Sequence, residues 1–344
     1  MKNSSKKGIL LLNLGTPDAP DAESVRRYLG EFLMDPYVID LPWLARAALV
    51  KGIILRTRPK KSAEAYKKVW TDRGSPLSFH THDLVEKVQK VLGDDYRVLP
   101  VMRYGNPSVE KAIRTFQSEG IIEVTALPLY PQFSLAASKS SEDWVMNEAK
   151  RLKFAGKIHL VGAFYQDDHF LDAFVEQAKS AMIEFTPDFT LFSFHGLPER
   201  HVKKVERVKG TCLASDDCCA RMNEANVDCY RAQCFHTARE IASRLGLSEA
   251  EYSVAFQSRL GTTPWIKPYS DVVLKEIATS GKHKKVLMIS PSFVADCLET
   301  LEEIAIRGKE DFIAAGGDAL VLAPSLNSSD RWVTCVSRLV SGVS

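Results

Sequence analysis

Short apolar runs alternate with longer amphipathic stretches along most of the chain. Ile9–Leu14, Tyr96–Met102, Val124–Leu129, Ile158–Ala163, Phe189–Phe194, Tyr252–Gln257 and Val286–Ile289 are nearly continuous in apolar residues and are bounded by Gly, Pro or polar positions. Such runs predict strands buried on both faces. Between them, His82–Leu92, Ser108–Glu119, Asp172–Glu184 and Ala232–Leu245 repeat their apolar positions at helical spacing. Buried strands alternating with helices predict an α/β protein with parallel sheets covered on both sides.

An internal repeat refines this. Leu12-Asn-Leu-Gly-Thr-Pro17 resembles Ser193-Phe-His-Gly-Leu-Pro198, and Tyr96-Arg-Val-Leu-Pro-Val-Met-Arg-Tyr-Gly105 resembles Tyr252-Ser-Val-Ala-Phe-Gln-Ser-Arg-Leu-Gly261. Gly120 leading to Val124 matches Gly281 leading to Val286. The pairs keep the same order in both halves. They predict two similar doubly wound, Rossmann-like domains, the first enlarged by residues near 20–75. The expected division is 1–184, then 185–325, with 326–344 forming a C-terminal helix that packs back on the first domain. Ligands of such folds sit beyond the carboxyl ends of the strands. With two domains, a cleft between them is the default place for a site.

Composition adds mainly exclusions. The 344 residues carry 45 Lys+Arg against 43 Asp+Glu, a net charge of +2 that gives no reason to expect a nucleic-acid partner. No G-x-G-x-x-G follows a strand and no G-x-x-x-x-G-K-[ST] occurs, so the usual nucleotide signatures are missing. The run Gly8–Leu14 is too short for a signal peptide and reads as a first strand, which predicts a cytoplasmic protein. Residues 41–55 are the most apolar stretch, interrupted by Arg46 and Lys51. They read either as a core helix or as an apolar lip touching a membrane or a flat ligand. One feature is abnormal: of seven cysteines, Cys212, Cys218, Cys219, Cys229 and Cys234 fall in one short segment. Clustered soft thiols in a cytoplasmic chain suit an iron–sulfur cluster or zinc.

Candidate chemistry lies at the strand ends. His195 follows the strand Phe189–Phe194 and is opened by Gly196 and Pro198, which presents an imidazole able to take a proton or hold a metal near neutral pH. Glu299 and Glu303 are four apart and share a helix face, with Glu302 beside them. Asn13, Arg103, Tyr130 and Ser258 stand at other strand ends. Arg56, Arg58, Arg103, Tyr104, Tyr130, Phe133 and Trp265 form an aromatic and basic set suited to a planar apolar ligand bearing carboxylates.

Leu11-Leu-Asn-Leu-Gly-Thr-Pro17, Gly74-Ser-Pro-Leu77, Met102-Arg-Tyr104, Leu129-Tyr-Pro-Gln-Phe-Ser134, Phe192-Ser-Phe-His-Gly-Leu-Pro198, Phe256-Gln-Ser-Arg259, Pro264-Trp-Ile-Lys-Pro268 and Phe293-Val-Ala-Asp-Cys-Leu-Glu-Thr-Leu301 occur in the order seen in ferrochelatases. From about Gly8 to Arg338 the chain resembles that family. The resemblance implies a lyase that inserts Fe²⁺ into protoporphyrin IX without a nucleotide, on two Rossmann-like domains. It implies that His195 is the catalytic histidine, Glu299 the essential carboxylate and Glu303 its neighbour, with Fe²⁺ as substrate at His195 and Glu299. It places Asn13, Leu14, Arg58, Tyr66, Ser75, Arg103, Tyr104, Tyr130, Ser258 and Trp265 at the porphyrin, and makes 41–55 a lip in peripheral contact with the inner face of the membrane. Leu14 stands where coproporphyrin-using relatives tend to carry Tyr, which favours protoporphyrin over coproporphyrin III. The four cysteines Cys212, Cys218, Cys219 and Cys229 resemble the ligands of a [2Fe–2S] cluster held in one internal segment, while Cys234 also occurs in relatives without a cluster. Two departures stand out. Cys297 replaces a histidine common in relatives, and Arg307 replaces a further acidic residue. The competing expectations are a chelatase for another tetrapyrrole and a tetrapyrrole carrier without activity.

Overall fold

A computed structural model describes residues 6–215, 217–259, 261 and 263–342; Met1–Ser5, Asp216, Leu260, Thr262, Val343 and Ser344 lie outside the description. The described residues hold two four-stranded parallel sheets. The first consists of β1 (Lys7–Gly15), β2 (Tyr96–Tyr104), β3 (Glu123–Pro128) and β4 (Lys157–Leu160), in the order β2-β1-β3-β4. The second consists of β5 (Phe189–His195), β6 (Tyr252–Gln257), β7 (Lys285–Ile289) and β8 (Ala319–Leu322), in the order β6-β5-β7-β8. The two orders are the same pattern, so the α/β class and the repeat are both present, with β1, β2 and β3 answering to β5, β6 and β7. The short strand β8 is not among the runs read from the sequence; its apolar block, Ala319-Leu-Val-Leu322, is only four residues long.

The strand sequences follow from position. β1 is central and covered on both sides, and Ile9, Leu10, Leu11 and Leu12 are all at or below 1% exposure. Pro100 pairs with Leu11 within β2. It is tolerated because β2 is an edge strand, whose outer side needs no N–H donor. Leu10, Leu12, Val101, Ile113, Phe116 and Val124 share the first core. Leu191, Ala255, Val286, Met288, Ile304 and Phe312 share the second.

The chain divides into two compact units: residues 1–130, 135–163 and 327–344, and residues 131–134 and 164–326. The division expected at 184/185 therefore falls at 163/164. The helix Asp168–Phe185 belongs to the second unit because it packs on the helix Tyr230–Leu245 and touches β7 and β8. The terminal helix Asp330–Ser341 lies in the first unit, against the helix Pro76–Leu92 and β3. Among the described residues, no helix is long and apolar enough to cross a membrane.

Candidate functional site

In the second unit the chemistry gathers at the ends of β5 and β6. His195 is the last residue of β5 and pairs with Gln257, the last of β6. Its backbone N–H donates to Ser292 Oγ at 3.1 Å, and its carbonyl accepts from the Tyr230 hydroxyl at 2.9 Å. Its ring Nδ1 lies 2.6 Å from the Gly196 carbonyl. A carbonyl can only accept, so Nδ1 carries the hydrogen, and in the neutral ring the lone pair is on Nε2. The half-buried ring leans on Phe293, with centroids 6.1 Å apart. Gly196 is glycine for a steric reason: a Cβ there would stand 2.8 Å from the Gln257 carbonyl and 3.2 Å from the Trp265 ring.

Gln257 connects the histidine to the acids. It is buried, its Oε1 accepts from Ser193 Oγ at 2.8 Å, and its Nε2 donates to the Glu299 carbonyl at 2.9 Å and faces Glu303 Oε2 at 3.5 Å. Glu303 also accepts from the Ser258 N–H at 2.9 Å and from Ser258 Oγ at 2.5 Å. Ser258 holds φ at +65°, a left-handed conformation uncommon outside glycine. This backbone turn aims both of its donors at one carboxylate.

The spacing of Glu299 and Glu303 predicts a single α-helical face. The structure instead has one short turn, Leu298–Thr300, followed by a π-helix over Leu301–Gly308. The wider i→i+5 winding is a feature often found at functional sites. Glu303 still bears on Gln257 through its carboxylate, whereas Glu299 does so only through its backbone carbonyl. Farther along, Arg307 lies 3.6 Å from Glu302 and 4.0 Å from Glu303, so the acidic row ends in an ion pair. Cys297 is buried at the start of this segment, and burial, reinforced by the Glu299 carboxylate within its hydrogen-bonding reach, pushes its thiol up. Trp265 is half-buried and its residue bridges to Pro198, just beyond His195.

The first unit places its expected residues unevenly. Leu14 and Tyr130 end half-exposed, with the Tyr130 hydroxyl accepting from Ser141 Oγ at 3.4 Å, and Arg58 is half-exposed on the helix Leu55–Val69. Asn13, Tyr66 and Ser75 are buried. Asn13 spans Thr81 and the Leu14 N–H, Ser75 accepts from Thr16 Oγ1 at 2.8 Å, and Tyr66 meets Trp70 edge-on. Tyr104 is 1% exposed and donates its hydroxyl to Asp35 at 2.8 Å, which removes it from any ligand-facing surface. Arg103 pairs with the same Asp35, donates to Ser140 Oγ at 2.8 Å, and lies over the Tyr104 and Trp144 rings. Asp35 lies 68 residues from Arg103, too far for spacing to suggest the pair. Residues 41–55 form the helix Trp43–Leu49 and the π-helix Val50–Ile54. Arg46, expected to interrupt this apolar stretch, turns inward to donate to the Ile39 and Leu41 carbonyls. Leu41, Trp43, Leu44 and Ile53 are left outside at 41%, 60%, 75% and 60% exposure.

The cysteine segment folds against the helix Tyr230–Leu245. Cys229 is the N-cap of that helix and is in hydrogen-bond contact with Cys212 and Cys219. Cys218 and Cys219 bring their sulfurs to 3.6 Å. Asn226 Nδ2 donates to the Cys218 and Arg221 carbonyls, Arg231 reaches Cys218 Sγ at 3.9 Å, and Arg239 donates to the Cys219 carbonyl. All seven cysteines are free thiols. Burial pushes Cys212 and Cys218 up, and the contact with Cys229 followed by burial does the same for Cys219. Among the described residues, no three or more His, Cys, Asp or Glu side chains are arranged to hold a metal ion. The four thiols form a chain of contacts, Cys212–Cys229–Cys219–Cys218. In donor chemistry alone, four thiols are what a two-iron cluster requires, as four thiolates shared between two metals. Cys234 is fully buried farther along the helix, in hydrogen-bond contact with the Tyr230 hydroxyl.

Sequence reading assigned no role to Gln257, Ser292 or Tyr230. Gln257 could have been found as the strand-end partner of His195. Ser292 and Tyr230 reach the histidine from 97 and 35 residues away, and no local pattern shows it.

The family model described as Ferrochelatase matches residues 6–343. Ferrochelatase from Coxiella burnetii (strain CbuK_Q154) is 43% identical over 98% of this chain and 94% of its own length. Those of Stutzerimonas stutzeri (strain A1501) and Pseudomonas fluorescens (strain SBW25) are each 44% identical, over 98% and 96% of this chain and 98% and 96% of theirs. Among solved structures, the sirohydrochlorin chelatase SirB from Bacillus subtilis subspecies spizizenii in complex with cobalt superposes with a TM-score of 0.53 at 9% identity, over 98% of this chain and 97% of that one. SirB from Bacillus subtilis with Fe³⁺ gives 0.55 at 9% identity, over 98% and 96%. At that identity the likeness concerns the fold alone.

Proposed function

The chain belongs to the ferrochelatase family, and on that premise we propose that it inserts Fe²⁺ into protoporphyrin IX, forming protohaem and releasing the two pyrrole protons. The observation that carries the reading is the β5 tip. There His195 has one ring nitrogen fixed by the Gly196 carbonyl and the other free, while Gln257 joins it to the Glu299–Glu303 segment.

Metallation needs a base for the two N–H protons and a coordination partner for the entering cation. The free Nε2 of His195 takes a pyrrole proton or steadies Fe²⁺. Glu299 and Glu303 accept protons or pass the cation. Glu303 is held by three donors from Ser258 and Gln257, so it acts from a fixed position. A flat porphyrin hides its nitrogen lone pairs in the ring plane, so binding energy from remote contacts favours a puckered ring that exposes them. Leu14, Arg58, Tyr130 and Trp265 keep exposed surface and remain our candidates for porphyrin contacts. The apolar Leu14 favours protoporphyrin over coproporphyrin III.

Two further parts of the proposal concern surfaces away from this chemistry. The exposed Leu41, Trp43, Leu44 and Ile53 form a peripheral membrane contact. Cys212, Cys218, Cys219 and Cys229 hold a [2Fe–2S] cluster, which when bound supplies one-electron chemistry and cross-links its loop. Visible absorption of the purified protein tests the cluster, and a colourless protein containing zinc overturns it.

The metallation assay uses protoporphyrin IX and coproporphyrin III with Fe²⁺, Zn²⁺ and Co²⁺. We expect Fe²⁺ and protoporphyrin to react, and His195→Ala to lose at least about a hundredfold in kcat while still binding porphyrin. Normal turnover by His195→Ala refutes the assignment. Porphyrin binding without single-turnover metallation makes the protein a carrier.

A further inference from the structure

We propose that Tyr230 is a positioning residue for His195, and that it couples the cysteine loop mechanically to the histidine. The proposal rests on the reading of His195 as the metallating histidine.

Three atoms define where the His195 ring stands. Its N–H is held by Ser292 Oγ, the next N–H, that of Gly196, is held by the Gln257 carbonyl at 2.8 Å, and its own carbonyl is held by the Tyr230 hydroxyl. The first two grips come from strand ends and their loops. The third comes from the first residue of the helix Tyr230–Leu245, and Tyr230 itself is 6% exposed. A phenol buried that deeply, with its hydroxyl 2.9 Å from the His195 carbonyl and within hydrogen-bond reach of Ser292 and Cys234, is a fixed strut, since burial leaves it no water to bond instead.

The residue before Tyr230 is Cys229. Consecutive Cα atoms across a trans peptide are about 3.8 Å apart, so a shift of one is felt by the other. The loop leaves no slack to absorb such a shift. The Cys229 N–H donates to the Asn226 carbonyl at 2.8 Å, and its carbonyl accepts from the Gln233 N–H at 3.0 Å. Gln233 Nε2 holds the Val227 carbonyl at 2.7 Å, and Asn226 holds Cys218. Cys229 meets the other thiols through its side chain and the histidine through its neighbour's hydroxyl. Whatever the four thiols bind, the position of Cys229 is set by it, and the Tyr230 hydroxyl moves with Cys229. A change of occupancy in the loop therefore reaches the metallating histidine through one side chain.

The test uses the full-length protein as purified, with Tyr230→Phe, which keeps the ring and removes only the hydroxyl. We expect unchanged protoporphyrin IX affinity in fluorescence titration, an unchanged KM for porphyrin, and kcat with Zn²⁺ and protoporphyrin lowered about tenfold. The second readout is independent of turnover: the His195 imidazole resonance, assigned by its absence in His195→Gln. It shifts in Tyr230→Phe. Cys229→Ser displaces it in the wild-type background but not in the Tyr230→Phe background. If Tyr230→Phe fails to fold, the comparison is made with Ser292→Ala, in which the remaining Tyr230 grip makes the response to Cys229→Ser larger than in wild type. An unmoved resonance in Tyr230→Phe, or the same Cys229→Ser displacement with and without the Tyr230 hydroxyl, overturns the proposal. A wild-type protein that metallates no porphyrin refutes the enzymatic reading instead, and the resonance comparison still decides the coupling.

Discussion

Adding one methyl group at Gly196 tests the geometry of the site without touching a reactive atom. In Gly196→Ala the new Cβ would stand 2.8 Å from the Gln257 carbonyl and 3.2 Å from the Trp265 ring. Ordinary contact begins near 3.4 Å, so the first distance is about 0.6 Å short. Neither neighbour yields freely, because one is backbone of β6 and the other a half-buried indole. The ends of β5 and β6 must part, which lengthens the Gly196 N–H to Gln257 carbonyl bond of 2.8 Å. Overpacking of this kind costs about 1–3 kcal/mol. For a unit of this size, about 2 kcal/mol corresponds to a fall in Tm of roughly 4–8 °C. The histidine moves with its strand. Displacements approaching 1 Å at a reacting group cost on the order of a hundredfold in rate, so a shift of about half that size predicts a tenfold loss of kcat. The assays are thermal unfolding, protoporphyrin titration and zinc metallation on the same preparation. Porphyrin affinity is expected to hold. Wild-type kcat together with wild-type Tm would show that the tip is soft, and would refute the argument that Gly196 fixes the position of His195.

Other changes are equally specific. Arg103→Met leaves Asp35 buried without its cation and should destabilise the protein by about 3–5 kcal/mol in denaturant titration, with much of the loss recovered when Asp35→Asn is added. Ser258→Gly removes one donor to Glu303, costing about 1.5–3 kcal/mol, and relieves a left-handed φ worth about 1–2 kcal/mol. Stability should thus change little while kcat falls severalfold, and an unaltered kcat counts against a fixed Glu303. Burial holds the half-buried His236 below the ordinary histidine value, so the folded state favours the neutral ring. Its contribution is present above the unfolded value of 6.5 and is lost as pH falls from there through the folded value. His236→Gln should flatten that limb of a stability–pH profile, and an unchanged slope assigns it elsewhere.

The sequence made the strand tips visible and left their partners hidden. β1 and β5 are nearly continuous apolar runs leading to Gly15 and Gly196, because central strands of parallel sheets are covered on both faces. That signal is one-dimensional, and it was enough to locate His195. The groups that fix His195 come from elsewhere. Ser292 lies in the turn after β7, Tyr230 at the start of a helix, and Gln257 at the end of a neighbouring strand, and only the folded sheet brings them together. Charged residues hid their partners as well. Arg103 reads as a ligand contact and Arg46, with Lys51, as an interruption of the apolar stretch 41–55; the fold adds internal partners, Asp35 for the first and the Ile39 and Leu41 carbonyls for the second. Side-chain type states what a residue can bond to, and its place in the fold decides what it does bond to. The π-helix after Thr300 was equally out of reach, since the i, i+4 spacing of its acids fits an ordinary helix as well.

The matching order of the two sheets suggests descent from one unit copied within a gene. By the repeated motif, Gly15 answers to Gly196 and Leu14 to His195. In each copy the glycine is crowded by a carbonyl of the adjoining strand, Tyr104 at 1.9 Å and Gln257 at 2.8 Å from a hypothetical Cβ. The scaffold of the tip was kept in both copies, while the residue it displays diverged into an isobutyl group in one and an imidazole in the other. The two sheets offer equivalent perches, and only one of them carries a basic nitrogen. A laboratory ancestor with histidine on both, made by Leu14→His, would show what the asymmetry between the copies contributes.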